Sequence, residues 1–337
     1  MKQVLLEQFG LDGLRQQESP CPEPGPGQVR VRWRHASLNY HDLAAVLGMA
    51  NPRMPLPQVP LSDGAGHIDA VGEGVGQWQV GDAVTSRFFP HWDAGRPSLS
   101  VLRQVTGETV PGVATEYAVL DAKAVLAAPG HLTSEEAACL PCAALTAWRA
   151  VVEEAAIGPG QRVLVQGSGG VSLFAAQFAH LLGAEVFAIS SQDERLAVLA
   201  GLGARHGINY RQTPEWGKAV RRLTGGAGVD LVVEVGGAGT LAQSLEAVAV
   251  GGHISMIGVL TGLAAPVSTA RIMAMNVTVR GVTVGNGEQQ RAMHRALALH
   301  GLRPHIGARF ALHEMREALA LMQASGHTGK ICINLDD

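Results

Sequence analysis

RVLVQGSGGVSLFAAQFAHLLGA, residues 162–184, is a short β-rich apolar run, a glycine cluster and an apolar stretch of helical period, in that order. Gly167, Gly169 and Gly170 stand where a strand gives way to a helix. There the backbone N–H groups and the positive end of the helix dipole face whatever lies above the turn. A Cβ would hold a phosphate away from the backbone, and glycine lets it approach. The third glycine of the usual G-x-G-x-x-G spacing is replaced by Ser172, which asks for a slightly larger separation of helix and strand. Taken alone such a loop is a weak signal, because a plain glycine turn reads the same way. Inside a β-α-β pattern it points to a dinucleotide, with Gly167, Ser168, Gly169, Gly170 and Val171 against the pyrophosphate.

That pattern extends outward from the loop. Runs at 162–166, 185–190, 206–210, 229–235 and 253–258 read as strands, and helical stretches lie between them at about 171–182, 193–200, 214–223 and 240–248. Apolar strands alternating with helices predict an α/β domain whose doubly wound parallel sheet is covered on both faces. Two more helical runs, 289–300 and 313–324, precede a last strand at 330–334. The first third differs. VRVRW at 29–33 and HIDAVG at 67–72 alternate in the period of a half-buried strand, while PCPEPGPG at 20–27 and NPRMPLPQVP at 51–60 punctuate them, so this part reads as a turn-rich β unit. The change of texture comes at Thr133, where SEEAACL predicts a helix capped by Ser134 ahead of Glu135 and Glu136.

The choice of nicotinamide cofactor is made at the end of the second strand of the doubly wound half, where NAD enzymes place an acid against the ribose hydroxyls. Ser190 and Ser191 occupy that place, with Arg195 one helical turn later. Hydroxyls and a guanidinium accept a 2'-phosphate that a carboxylate would repel, so NADP(H) is favoured. NAD(H) stays possible because Asp193 is close by in sequence.

Composition narrows the classes of function. A length of 337 residues favours two domains, and 47% hydrophobic with 16% charged residues describes a globular chain. A net charge of -3 gives no footprint for nucleic acid or an anionic membrane, which leaves small-molecule partners. The start MKQVLLEQFG, broken by Glu7, carries no secretory or transit pattern. The uncharged stretch 247–270 is interrupted by Gly251, Gly252, Gly258, Gly262 and Pro266, so it reads as strand and loop and not as a membrane span. Four cysteines make no disulfide framework and fit a reducing, cytoplasmic setting.

Beyond the glycine loop, SLNYHD at 37–42, PLSDGAG at 60–66, VGEGVGQWQVGDAV at 71–84 and EEAACLPCAALTAW at 135–148 follow in order. With these motifs the chain resembles the medium-chain dehydrogenase/reductase superfamily, and within it the zinc-free quinone oxidoreductase-like branch. The resemblance implies a GroES-like β domain over 1–127, completed by about 285–337, and a Rossmann domain over 128–284, with the active site in the cleft between them. It implies further cofactor contacts at Thr146, Tyr210, Gly236, Ile257, Gly258, Gly285, Asn286 and Lys330, and a homodimer formed through a strand at 277–284.

Zinc-dependent relatives hold a catalytic metal with a cysteine, a histidine and a second cysteine. Here the matching positions are Asn39, Ser62 and Cys142, and one thiol does not make a zinc site, so no zinc is expected. Cys139 and Cys142 form CLPC, read as buried small hydrophobes in an apolar stretch and not as a redox pair. Without a Lewis acid, reduction of a conjugated carbonyl is easier than oxidation of an alcohol. Asn39 or Tyr40 is the candidate donor to the acceptor oxygen, and His41 the candidate proton relay. Phe88, Phe89 and Trp92 are the candidate wall for a planar substrate. The structural alternative is that Asn39 and His41 only cap the helix that begins near Asp42. His67 and His91 read as structural and not as ligands of a non-standard metal site. The expected activity is NADPH-dependent reduction of a quinone or enone. The alternatives are a zinc-free alcohol or aldehyde dehydrogenase-like reductase, and an NADPH-binding protein with little turnover, as in crystallin relatives.

Overall fold

The computed structural model describes residues 1–336. Its first strands are β1 (Lys2–Leu6), β2 (Leu14–Glu18), β3 (Gln28–Ser37), β4 (Asp63–Val71), β5 (Ala83–Ser86), β6 (Tyr117–Asp121) and β7 (Val125–Ala127). They are followed by β8 (Arg162–Gln166), β9 (Glu185–Ser190), β10 (Ala204–Asn209), β11 (Val229–Glu234), β12 (Val248–Met256) and β13 (Thr278–Gly281), then β14 (Ile306–Ala311) and β15 (Lys330–Asn334). Two compact units result, Met1–Leu145 together with the chain from Gly285 onward, and Thr146–Val284. The first break therefore lies later than the expected 127/128. The helix Ser134–Ala138 packs on β3 and β4, and Ser37 Oγ donates to Ala138 O at 2.8 Å, so this segment is held by the β-rich unit.

In that unit β3 is the organising strand. Val29, Val31 and Trp33 are buried while Arg30, Arg32 and Arg34 alternate with them at half-buried positions, which is the period of a strand with one face on a core. The sheet runs β14-β15-β3-β4-β5-β7, with β6 also paired to β3. β15 joins β3 antiparallel through Cys332↔Ser37 and Ile333↔Ala36, and Leu38 N donates to Ile331 O at 2.9 Å. This register brings Lys330, near the end of the chain, alongside Asn39.

The second unit is a parallel sheet in the order β10-β9-β8-β11-β12-β13. Val163, Leu164 and Val165 of β8 are fully buried, as a strand covered on both faces requires. Strand order reverses between β8 and β11, and open sheets of this kind bind ligands at the carboxyl ends of the strands beside such a reversal. The α/β class, with a β-rich domain and a doubly wound domain, is thus as the sequence predicts. Some elements shift. β12 starts at Val248, directly after the helix Leu241–Ala247, and not at His253. The strand expected at 277–284 shortens to Thr278–Gly281, and Val284 has a positive φ of 48°. Among the described residues no helix is long and apolar enough to cross a membrane.

The helix Ser134–Ala138 is capped by Thr133 and not by Ser134. Thr133 Oγ1 accepts from Glu136 N at 3.2 Å and Glu136 Oε2 accepts from Thr133 N at 2.9 Å, a reciprocal capping box, while Ser134 Oγ lies 2.9 Å from His35 Nδ1. Replacing Thr133 with Ala is expected to cost about 1 kcal/mol of stability, read as a lower urea midpoint; an unchanged midpoint would contradict the cap.

Candidate functional site

The nucleotide loop leaves β8 at Gln166. Gly167 sits at φ +70°, a conformation that L side chains rarely adopt, and nothing lies within 4 Å of where a Cβ on Gly167 or Gly169 would stand. Gly169 is the extended N-cap of the helix Gly170–Leu181 and makes no side-chain cap, so the first-turn amides have no capping side chain. Ser168 is buried, and Val171 is the second residue of the helix. Ser172 stands at the position of the third glycine. Its buried hydroxyl donates to Gln166 O at 2.5 Å and bridges the two elements.

Beneath this loop, where the strand order reverses, Glu234 ends β11 with no exposed surface. Its Oε1 accepts from Gly236 N and Gly237 N, both at 2.9 Å, and from Thr240 Oγ1 at 2.5 Å. Its Oε2 accepts from Gln166 Nε2 at 2.8 Å and from Ser244 Oγ. A buried carboxylate is tolerable only when saturated with donors in this way. The bracket ties the end of β8 to the turn that carries Gly236. Gly236 and Gly258 are glycines for packing reasons, since a Cβ would meet Thr240 Oγ1 at 2.3 Å and Val235 O at 2.0 Å respectively. Ile257 N and Gly258 N donate to Glu234 O.

Ser190 ends β9 and is buried, Ser191 and Arg195 are half-buried, and exposed Tyr210 donates its backbone N–H to Ser190 O at 3.0 Å. Asp193 opens the next helix, and its Oδ1 accepts from Asn209 Nδ2 at 2.8 Å. The acid that complicated the cofactor reading is thus engaged at its helix N-terminus. Thr146, the first residue of this unit, is buried.

In the β-rich unit the structure brings together the three positions that match the metal ligands of relatives. Asn39 is the N-cap of the helix Tyr40–Val46. Asp42, in the first turn, accepts from Asn39 N at 2.7 Å and from Ser62 N at 2.9 Å, and so anchors both backbones. Asn39 Nδ2 donates to Ser62 Oγ at 3.2 Å, Ser62 Oγ donates to Asp63 Oδ1 at 3.2 Å, and Cys142 N donates to Asp63 Oδ2 at 3.1 Å. The positive charge here is Lys330, 3% exposed, whose Nζ donates to Leu38 O at 2.7 Å and Asn39 Oδ1 at 2.6 Å and lies 3.7 Å from Asp63 Oδ2. Burial pushes the Asp63 carboxyl up to about 6 against the pull of Lys330, and burial also raises Asp42. Gly285 and Asn286 are in this unit too. Asn286 caps the helix Gly287–His300 with its Oδ1 on Gln289 N at 2.9 Å.

Tyr40 is exposed. His41 Nε2 lies 3.0 Å from Glu108 Oε2 without an aligned hydrogen bond. The imidazole meets Phe88 edge-on at 5.1 Å, Phe88 meets Phe89 at 4.8 Å and Phe89 meets Trp92 at 5.8 Å, a continuous row of rings. The three aromatics are at most 5% exposed, so they present little surface of their own. A cavity of about 280 Å³ is lined by Ser86, Arg87, Pro90, His91 and Thr106 among others, and none of the six candidate residues lines it. His67 is on β4, and among the described residues no three His, Cys, Asp or Glu side chains group as a metal set. The neighbour of Cys139 is Cys332, at 3.5 Å between sulfurs, and not Cys142; all three are buried and none is in a disulfide.

Sequence reasoning missed Glu234, Gln166, Ser62 with Asp63 as a unit, and Glu108. An acid ending the apolar run VDLVVE was a usable sign of a partnered buried charge. Glu108 lies in a loop and gave none.

Residues 25–130 match the alcohol dehydrogenase GroES-like domain family, and residues 170–299 the zinc-binding dehydrogenase family. A zinc-type alcohol dehydrogenase-like protein of Schizosaccharomyces pombe is 40% identical over 97% of this chain and 96% of its own length. Human quinone oxidoreductase is 26% identical over 99% and 98%. The crystal structure of an NAD-dependent alcohol dehydrogenase superposes with a TM-score of 0.91 at 34% identity, covering 99% of each chain.

Burial lowers the His41 pKa, but Glu108 and the charges of Asp42 and Asp63 outweigh it, so His41 ends above the ordinary 6.5. Burial likewise raises Glu108, and His41 overrides it, leaving Glu108 below 4.5. The stability due to His41 is whole below pH 6.5 and is lost as pH rises through its raised value. The stability due to Glu108 is present above pH 4.5 and is lost as pH falls through its depressed value. The stability gap between wild type and Glu108→Gln should therefore be widest between pH 4.5 and 6.5 in urea titrations, with the His41 imidazole titrating above 6.5 by NMR. A His41 that titrates below the ordinary value would contradict the pairing.

Proposed function

This chain belongs to the medium-chain dehydrogenase/reductase superfamily of oxidoreductases, and from that premise we propose that it is a metal-independent, NADPH-preferring reductase of quinones or α,β-unsaturated carbonyls. The observation that carries the proposal is the donor set at the three positions matching metal ligands. Asn39 already gives its oxygen to an ammonium, Ser62 gives its hydroxyl proton to Asp63, and one thiol, Cys142, is left. Zinc takes neutral or anionic N, S and O ligands in a tetrahedron, and a fixed ammonium 3.7 Å from the nearest carboxylate oxygen opposes a dication there. The residues do not fit the metal, and the chemistry is derived without it.

When bound, the reduced nicotinamide supplies the hydride. The open amides at Gly170 and Val171 and the glycine faces at 167 and 169 suit its pyrophosphate. In the β-rich unit the developing negative charge on the acceptor oxygen calls for a donor, and Asn39 is the candidate whose amide is held in place. His41, whose protonated form Glu108 favours, can release one proton to the reduced product and regain it from solvent through its partly exposed ring. A conjugated acceptor spreads the charge over several atoms and so demands less of a metal-free site. Human quinone oxidoreductase supports this class of substrate. The dehydrogenase relatives support a second reading, reduction of a simple aldehyde or the reverse oxidation of an alcohol. The expected homodimer would use the exposed edge of β13.

In chelator, with NADPH, the purified protein is expected to reduce a para-quinone or an enone faster than it oxidises ethanol or benzyl alcohol at neutral pH. Efficient alcohol oxidation without quinone turnover, or activity that needs added zinc, would replace this reading with the second. NADPH is expected to bind more tightly than NADH by roughly tenfold, about 1 to 2 kcal/mol for a charge-assisted contact, with the difference falling in Arg195→Ala. Equal affinities by calorimetric titration, or a preference for NADH like that named for the dehydrogenase of known structure, would contradict the assignment at Ser190 and Arg195.

A further inference from the structure

Four side chains of the β-rich unit close a ring. Lys330 Nζ donates to Asn39 Oδ1, Asn39 Nδ2 donates to Ser62 Oγ, Ser62 Oγ donates to Asp63 Oδ1, and the Asp63 carboxylate faces the Lys330 ammonium. Every member is at most 7% exposed. The direction of the ring follows from chemistry. An ammonium can only donate and a carboxylate can only accept, so the hydroxyl between amide and carboxylate must accept from the first and donate to the second. An isolated amide can take either of two flips, but here the oxygen must face Lys330 and the nitrogen must face away. Asp42 pins the backbones of Asn39 and Ser62, and Lys330 Nζ is held a second time by Leu38 O. The ammonium on Oδ1 also draws electrons through the amide and strengthens its N–H groups as donors, as in any polarised hydrogen-bond chain.

We infer that Lys330 and Asp63 are positioning residues that lock the Asn39 amide in one flip, so that Nδ2 is the group it offers to the oxyanion developing on a conjugated carbonyl. Ser62 Oγ already accepts from that nitrogen at 3.2 Å, so the incoming oxygen takes over a place the ring has already made for an acceptor. This rests on the reductase reading and goes further by stating which atom of Asn39 acts and what aims it. Lys330 is thereby given a role in the reaction in place of direct cofactor contact.

The test uses the full-length protein, NADPH and a para-quinone or enone. Asn39→Asp keeps the size of the side chain and the pairing with Lys330 but has no donor. Since Lys330→Met alone would strand the Asp63 charge, the paired variant Lys330→Met/Asp63→Asn removes both charges together. Both are expected to lower kcat roughly 10- to 100-fold, the scale of a lost or misplaced oxyanion donor. NADPH affinity should stay within about threefold, less than half a power of ten. Lys330→Arg, which keeps a donor-only cation, should recover most of kcat. With [15N]asparagine labelling, the side-chain N–H pair absent from Asn39→Asp should exchange slowly with solvent in wild type and in Lys330→Arg, and quickly in the paired variant. Undiminished kcat in Asn39→Asp or in the paired variant overturns the proposal. So does a loss of NADPH affinity at constant kcat, which would make Lys330 a cofactor contact. If wild type reduces no conjugated carbonyl, the proposal falls with the reductase reading. A protected N–H pair would then place the fault in the assigned reaction, and an unprotected one in the ring.

Discussion

An ammonium group removed from water loses several kcal/mol of hydration, and the loss is tolerable only where acceptors surround it. Lys330 meets this condition with Leu38 O, Asn39 Oδ1 and Asp63, and each of those partners is fixed by something else. Leu38 is held by β15 itself, Asn39 and Ser62 by the Asp42 carboxylate, and Asp63 by the amide of Cys142. The buried charge therefore ties the C-terminal strand, the entry to the first helix, the start of β4 and the segment near Cys142 to one point. Buried ion pairs add little to stability when compared with apolar packing, and their better-attested value is to select one arrangement. Here the selected arrangement is an amide with a fixed direction.

The second unit solves a similar problem with the opposite sign. Glu234 is saturated by backbone and side-chain donors, and through Gln166 it fixes the strand from which the glycine loop departs. Ser172 adds the other closure of the loop. The loop has open glycine faces on a base that is hydrogen-bonded throughout, which is the condition for a site held ready before its ligand arrives.

How much of this could be read in the sequence followed from how local each feature is. β8, β9 and β15 were read at their true bounds because an uninterrupted apolar run edged by glycine or polar residues leaves little choice. The cap of the helix Ser134–Ala138 was misplaced by one residue because Thr133 and Ser134 are both good caps, and only the reach of Glu136 back to Thr133 decides. Ser172 looked like a concession to a missing glycine because nothing in the spacing shows that a hydroxyl can bridge to Gln166 O. The ring around Asn39 was beyond reading, since it joins residues from position 39 to position 330 and depends on β15 pairing with β3. From the sequence Lys330 reads as a cofactor contact, and the neighbours that its ammonium has in the fold, Leu38 O, Asn39 Oδ1 and Asp63, come from positions about 270 to 290 residues away.

On the proposed reading this chain moves a hydride to a conjugated carbonyl with the buried Lys330 cation and the oriented Asn39 amide in place of a metal. Mass spectrometry of an enone reduced in chelator with NADPH carrying deuterium at the transferring 4-position tests it most directly. The predicted result is one deuterium at the β-carbon of the product, at a rate unchanged by added zinc. Product without deuterium, or formed only after zinc is supplied, would contradict the account.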